Sequence, residues 1–453
     1  MTARAKQVRG TAFLLAALAL GGCGQEGSSS APGQVDTLAT DSASNPTAAI
    51  DPRTGRAYVA WIGVSEGLRT VLVVSAGPGA DAPSARVRAN DLPGDAAPHA
   101  QAPAQLAIGP EGNVYVVWQN NTSVPGRRFP ASNLRVATST DGGRTFRPAV
   151  DVNDDADGPP SSHTFHDISV AADGTVLVSW IDSREVDAAI EHANLGAELL
   201  GTATNDAHAH HGTSAAGAVN PSAASDTRPV AAKLRGPEIR VARSRDFGAT
   251  FGASVVVDSA ACPCCRTSLV IAPDGAVYVA WRKLFPGDIR DAVVARAEAG
   301  SLEFGEPVRV HRDEWVFPGC PHAGPSLTVD AAGRVLVGWY TGKEGRQGLW
   351  YAASEDGGRT FAEATPLLTA DWVPPSQLRL AVAGGRVWAA WEDRTGEGSV
   401  VRIAAGRAGE PLRPLEGFTE PGSDPSLAAV GGKAVVAWLD GGAVRARVMK
   451  DEG

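Results

Sequence analysis

A short apolar strand that ends in tryptophan recurs along this chain and limits what the chain can fold into. Successive copies follow one another at about 50–60 residues, apart from one interval of about 100. The copies are AYVAW (Ala57–Trp61), VYVVW (Val114–Trp118), VLVSW (Val176–Trp180), VYVAW (Val277–Trp281), VLVGW (Val335–Trp339), VWAAW (Val387–Trp391) and AVVAW (Ala434–Trp438). This period in β-forming residues predicts a β-propeller, in which each unit buries its faces by packing on its neighbours. The tryptophans are expected in the core between blades.

Each repeat has room for four strands. The first strand runs into a tight turn such as Asp173-Gly174, where glycine tolerates a positive φ, and the tryptophan strand follows. The last unit has room for three strands only, so we expect Gln34–Ala39 to supply its fourth and to close the ring without an exposed edge. We therefore predict an all-β, seven-bladed propeller, whose units begin near Thr47, Ala104, His163, Thr267, Pro325, Gln377 and Pro425.

The turn between the third and fourth strands carries the pattern S-x-D-x-G-x-T-F in three units, at Ser139–Phe146, Ser244–Phe251 and Ser354–Phe361. Its Asp, Ser and Thr side chains can hydrogen-bond the backbone of the turn. The pattern resembles the Asp-box, or bacterial neuraminidase repeat, of the sialidase-like propellers. That resemblance implies a structural role for Ser139, Asp141, Gly143, Thr145, Ser244, Asp246, Gly248, Thr250, Ser354, Asp356, Gly358 and Thr360. Sialidases have six blades, so a six-bladed ring with one degenerate unit is the alternative.

The N-terminal residues 1–23 have the pattern of a secretion signal. Basic residues precede the apolar segment Thr11–Leu20, which is too short to span a bilayer stably. Leu20-Gly21-Gly22-Cys23 resembles a bacterial lipobox, which implies cleavage before Cys23 and lipidation of its thiol. Residues 24–33 then form a flexible tether, and 34–453 the propeller. We expect a cell-envelope lipoprotein held by its lipid anchor alone, at the outer membrane facing the periplasm or at the cell surface.

The one long interval between tryptophans points to an insertion at 183–236 in the third blade. It holds a possible helix, Val186–Leu200, followed by a polar run that contains His208, His210 and His211. Such a composition is typical of a disordered segment, and it is also compatible with a lid over the mouth of the propeller.

Histidines and cysteines concentrate in the loops of one face. The blade-to-blade connections and the loops after each tryptophan strand share this face, which we call the front. Three thiols within four residues suit a metal site better than disulfides, because near-adjacent cysteines form a disulfide only with strain. Thiolates with imidazole select Cu(I) or Zn(II), and we favour copper. The candidate ligands are Cys262, Cys264, Cys265, Cys320, His322, His163 and His166.

The main interpretation is therefore metal handling in the cell envelope, without catalysis, and with a transition metal ion or another envelope protein as the partner. A sialidase-like glycoside hydrolase or carbohydrate-binding propeller is the first alternative. The arginine signature of the first sialidase blade is absent at Ser44-Asn45-Pro46-Thr47, although Tyr340 and Glu392 follow front-face tryptophans. A protein-interaction scaffold stapled by disulfides is the second alternative, and a redox-active thiol pair remains open. The net charge of −9, with both signs interspersed, argues against a nucleic-acid partner.

Overall fold

The computed structural model describes residues 35–39, 42–78, 82–125, 127, 130–190 and 236–450. The predicted secretion signal, Cys23 and the predicted tether lie outside the described residues, as does most of the predicted insertion 183–236. Within that insertion a helix begins at 184, and its described part runs to 190. Among the residues described, no helix has the length and hydropathy that crossing a bilayer requires.

Seven antiparallel sheets of four strands each follow one another along the chain. Strand β1 (Val35–Ala39) joins the last sheet. The first four sheets are, in chain order, β2 (Thr47–Ile50), β3 (Ala57–Ser65), β4 (Leu68–Ala76) and β5 (Val87–Arg88); β6 (Gln105–Ile108), β7 (Val114–Thr122), β8 (Ala131–Ser139) and β9 (Val150–Asp151); β10 (His163–Val170), β11 (Val176–Asp182), β12 (Glu238–Ser244) and β13 (Val255–Asp258); and β14 (Ser268–Ile271), β15 (Val277–Phe285), β16 (Ile289–Ala297) and β17 (Val308–Arg309). The last three are β18 (Ser326–Val329), β19 (Val335–Thr341), β20 (Gly348–Ser354) and β21 (Thr365–Thr369); β22 (Leu378–Ala383), β23 (Arg386–Asp393), β24 (Val400–Arg407) and β25 (Arg413–Pro421); and β26 (Ser423–Val430), β27 (Lys433–Asp440) and β28 (Ala443–Lys450) with β1.

The sheets form a closed ring. The first strand of each sheet contacts the first strand of the next, from β2 through β6, β10, β14, β18, β22 and β26 and back to β2. The last sheet is completed by β1, which pairs antiparallel with β28 so that Thr37 lies opposite Arg445. The seven-bladed prediction and the closing role of the N-terminal strand are therefore confirmed, and the ring does not have six blades.

The seven repeat tryptophans fill the space between blades, as predicted. None of them is more than 3% exposed. They pack against aliphatic residues of the adjacent sheet: Trp281 of β15, for example, shares one core with Ile181 of β11 and Ile239 of β12. Truncating a buried tryptophan to alanine typically costs about 3–5 kcal/mol, so each of these contacts stabilises the ring substantially.

The three turns with the pattern S-x-D-x-G-x-T-F show the hydrogen bonding that this pattern suggests. Asp141 Oδ1 accepts hydrogen bonds from the backbone amides of Arg144 and Thr145, both at 3.0 Å, and Oδ2 accepts from Thr145 Oγ1 at 2.7 Å. Ser139 Oγ donates to Asp141 Oδ1 at 2.7 Å and accepts from the amide of Gly143, which has a φ of 82°. Asp246 and Asp356 repeat this arrangement with their own Ser and Thr partners. These turns lie at the end of each blade opposite to the front.

Candidate functional site

Three cysteine sulfurs form a compact triangle on the front face. Cys262, Cys264 and Cys265 lie on the connection between β13 and β14, where the amide of Cys262 donates to the carbonyl of Arg282 at 2.8 Å. The sulfur of Cys262 lies 3.7 Å from that of Cys264 and 3.6 Å from that of Cys265, and the remaining edge is 4.0 Å. All three residues are buried. We call these three residues the thiol triangle.

The dimensions of the thiol triangle match those of a metal–thiolate centre. A point in its plane and equidistant from the three sulfurs lies about 2.2 Å from each, close to the zinc–sulfur bond of about 2.3 Å. The ligand atoms of this group all lie within 4.8 Å of one another. The four cysteines in the described part of the chain are free thiols. The triangle can therefore hold one ion without rearrangement of its loop.

The electrostatics of the triangle favour one thiolate. Hydrogen bonds with Cys264 and Cys265, together with the positive charges of Arg290 and Arg282, hold the pKa of Cys262 far below its ordinary value. Arg290 Nη1 donates to Cys262 Sγ at 3.0 Å. The hydrogen bond to Cys262 raises the pKa of Cys264, and burial raises the pKa of Cys265. Cys262 is therefore the cysteine of the triangle whose surroundings most favour the thiolate form, since two thiols and a guanidinium lie within hydrogen-bonding distance of its sulfur.

Cys320 and His322 adjoin the thiol triangle. Both lie on the connection between β17 and β18, and with Cys264 they line one cavity. A hydrogen bond with Cys264 lowers the pKa of Cys320. His322 has a φ of 52°, and its carbonyl accepts a hydrogen bond from the side chain of Gln377. Cys320 does not belong to the group of ligand atoms that lie within 4.8 Å of one another.

The two histidines of the third blade lie in other surroundings. His163 Nδ1 contacts the carbonyl of Ser132 at 2.6 Å, and Nε2 contacts Asp155 at 3.0 Å and Asp182 at 3.4 Å. Burial opposes its charged form, but the hydrogen bond to Asp155 and the charge of Asp182 raise the pKa of His163. His166 is fully buried, and burial lowers its pKa to about 3. Neither of its ring nitrogens has a well-formed hydrogen bond among the described residues, although the carbonyls of Pro103 and Val117 lie nearby.

A cavity of about 970 Å³ opens beside the triangle on the front face. One wall combines Cys264, Cys320 and His322 with His99 and Phe165, whose rings meet edge-to-face at 5.3 Å. Phe165 reaches this wall through an irregularity in β10, where its φ is 56° and the pairing with β11 shifts register. The start of the helix at 184–190 and several polar or charged side chains also line the cavity; these side chains include Gln119, Asn121, Arg127, Asp155, Ser161, Arg184 and Asp187.

The side chains that a sialidase interpretation would use are engaged elsewhere. Tyr340 is buried, and its hydroxyl donates to the carbonyl of Val373 at 2.8 Å. Glu392 accepts a hydrogen bond from Ser399 Oγ at 2.6 Å. Neither residue lines the large cavity.

Arg290 is a site residue that the sequence analysis missed. It faces the triangle because the tight turn at Gly287-Asp288 joins β15 to β16 and pairs it with Leu284. Asp288 and Gly287 both have a positive φ, and a Pro-Gly-Asp sequence between two apolar strands is a hairpin signal. The register of this hairpin, read from the sequence, could have predicted the position of Arg290 opposite Leu284.

No family model matches this chain, and no curated protein matches it. Solved structures do resemble it. A PL25 ulvan lyase, described as a new family of polysaccharide lyase, has a TM-score of 0.58 at 12% identity, covering 92% of this chain and 96% of the other. The polysaccharide lyase Uly1 has a TM-score of 0.50 at 11% identity, covering 90% of each chain. A Hadza microbial sialidase has a TM-score of 0.47 at 14% identity, covering 85% of this chain and 74% of its own. At these identities the first two likenesses establish the propeller fold alone.

Proposed function

We propose that this protein binds a soft transition metal ion, copper or zinc, at the thiol triangle of Cys262, Cys264 and Cys265. The observation that supports the proposal is the set of sulfur–sulfur distances, 3.6, 3.7 and 4.0 Å, because an ion at the centre of such a triangle would lie at bonding distance from all three sulfurs. Metal handling at the cell envelope, on a lipid-anchored propeller, is the role that this site and the lipobox at Cys23 support together.

The surroundings of the triangle favour metal binding in two further ways. The buried loop is held in place by the backbone hydrogen bond from Cys262 to Arg282, so little ordering remains when an ion binds. Cys264 also lines the large cavity, which gives an ion or a delivering partner a path to the sulfurs from the front. Cys320 and His322 on the same wall are suited to guide an ion toward the triangle.

The test is a competition titration of the reduced full-length protein with Cu(I), and separately with Zn(II), against a chelator of known affinity. Cys264→Ser should weaken binding more than about 100-fold, because loss of an outer-shell partner alone typically costs about 10–100-fold. His311→Ala is the matched control, since His311 contacts Asp313 and does not line the cavity. Equal competition by wild type and Cys264→Ser would contradict the proposal.

A carbohydrate-active function is the second candidate, and the cavity favours it. Its volume of about 970 Å³ lies at the upper end of the usual range for small-molecule sites, about 300–1,000 Å³. Gln119, Asn121 and Arg127 line this cavity and offer hydrogen-bond donors and acceptors to a ligand. The ulvan lyase of similar fold is also described bound to a unit of glucuronate and sulfated rhamnose, so uronate-containing polysaccharides are the substrates to try first.

This candidate predicts release of new chain ends from a uronate-containing polysaccharide. Asn121→Ala should reduce the release, whereas Asn120→Ala should not, because Asn120 is the neighbouring residue on β7 and does not line the cavity. Cys265→Ser should leave the release unchanged, because Cys265 belongs to the thiol triangle and does not line the cavity; this separates the function from metal binding. Absence of both binding and cleavage across sulfated and unsulfated polyuronates would exclude it.

A further inference from the structure

Two buried arginines lie beside the thiol triangle without a carboxylate partner. Arg282 is 1% exposed, and its guanidinium donates only to the carbonyls of Ala323, Arg290 and Tyr340. Arg290 is 7% exposed and donates to the carbonyl of Phe317 and to Cys262 Sγ. Across the described ranges, neither guanidinium forms an ion pair, whereas Arg309 of the same blade pairs with Asp291. A buried charge is strongly unfavourable unless an opposite charge compensates it.

The sulfurs are the compensating charges. Arg290 reaches Cys262 directly at 3.0 Å. Arg282 adjoins the same loop, since its carbonyl accepts a hydrogen bond from the amide of Cys262, and its positive charge favours the thiolate forms of Cys262 and Cys265. Two fixed positive charges therefore face three sulfurs, and this ratio constrains the charge of any ion placed among them.

We infer that Arg282 and Arg290 make the thiol triangle selective for a monovalent ion, Cu(I), over a divalent one; this rests on the proposed metal function. Binding releases the remaining thiol protons to solvent and leaves three thiolates. With a monovalent ion the centre carries a charge of −2, which the two arginines neutralise. With a divalent ion it carries −1, and one buried guanidinium stays uncompensated. Thiolate ligands also suit Cu(I) by their softness.

The shape of the site agrees with this charge balance. An ion in the plane of the triangle lies about 2.2 Å from each sulfur, so three-fold coordination needs no fourth ligand. A fourth thiolate would restore the balance for a divalent ion. Cys320 is the available candidate: it is hydrogen-bonded to Cys264, but it does not belong to the group of ligand atoms that all lie within 4.8 Å of one another.

The experiment measures the ratio of Cu(I) to Zn(II) affinity in the reduced full-length protein, using competing chelators for each ion. Arg290→Met removes one positive charge about 5 Å from the ion, and the ratio should fall on the order of 100-fold. Arg296→Met is the matched control, because Arg296 lies on the same strand, β16, and is paired with Glu298. Both ions displace the same thiol protons, so a change in thiol acidity cancels from the ratio.

A ratio that is unchanged in Arg290→Met, while both ions still bind, would overturn the inference and leave the proposed metal function intact. Failure of wild type to bind either ion would instead refute the proposed function itself. If Arg290→Met does not fold, Arg290→Gln keeps a donor for the carbonyl of Phe317 and should lower the ratio in the same way. Cys320→Ser should leave the ratio unchanged, and loss of Zn(II) binding in that variant would establish a four-thiolate divalent centre against the inference.

Discussion

Gly324 keeps the two cysteine-bearing loops of the front face in close contact. It lies between Ala323 and β18, and a Cβ atom at this position would be 2.3 Å from the carbonyl oxygen of Arg266 and 2.9 Å from its amide nitrogen. These are backbone atoms, which cannot rotate aside. Ordinary contact begins at 3.4 Å, so Gly324→Ala must separate the two loops by 1.1 Å, the difference between 3.4 and 2.3 Å.

We expect Gly324→Ala to destabilise the protein by about 1–3 kcal/mol, the usual cost of inserting a methyl group into a packed site. The clash is with the backbone of Arg266, the residue after Cys265, so the same displacement should distort the thiol triangle and weaken metal binding. Gly396→Ala is the matched control, because its Cβ would meet nothing within 4 Å and its φ is not positive. Alanine there should be neutral or stabilise by up to about 1 kcal/mol, since it restricts the unfolded chain.

The assay is urea unfolding of both variants beside wild type, followed by Cu(I) competition on the reduced proteins. The midpoint for Gly324→Ala should fall clearly below that for Gly396→Ala. Coincident midpoints and equal Cu(I) affinities in the two variants would show that the loops move apart freely, and the argument from backbone contact would then be refuted.

Three other predictions concern the ring and its anchor. Asp246 has its pKa lowered to about 2 by hydrogen bonds from Thr250 and Ser244; Asp246→Asn should therefore cost about 1 kcal/mol at pH 7 after allowance for solvent screening. That stabilisation is present above the unfolded pKa near 3.8 and is lost as the pH falls toward 2, so urea midpoints of variant and wild type should converge there, and a constant gap would contradict it. Deleting 35–39 exposes the edge of β28 and should lower the thermal midpoint and promote self-association in light scattering; an unchanged monomer would count against edge protection. Cys23→Ala should abolish incorporation of labelled fatty acid, and labelling equal to wild type would exclude the lipobox.

The architecture was predictable from the sequence because the same pattern of strand and turn residues occurs in every blade, so each copy supports the same assignment. Seven tryptophan strands, each followed by turn residues, predict the blades, and the predicted unit starts fall within about two residues of the first strands, as at β2 and β10. The closure by β1 was predictable for a similar reason, since a final unit with three strands lacks a partner for its edge.

The composition of the site was less predictable, because it depends on loop conformation. We expected His163 and His166 near the cysteines, but the face of the strand that each side chain takes depends on the local register of the strand. The structure adds a register shift between Thr164 and Asp167, which no propensity predicts. The close approach of three sulfurs likewise follows from a loop fixed by contacts to another strand, such as the carbonyl of Arg282.

Closure of the ring through β1 and β28 also has a kinetic consequence. Arg445 donates a hydrogen bond to Thr37, and 408 positions of sequence separate the two residues. Strand β1 therefore cannot pair until β28, near the end of the chain, has been synthesised. Contacts so distant in sequence form slowly, because the loop entropy is lost before the contact is gained. Until then the edge of β28 and the side chains beneath it are open to other chains. The period between synthesis and closure is therefore when this protein is most exposed to aggregation and most dependent on chaperones.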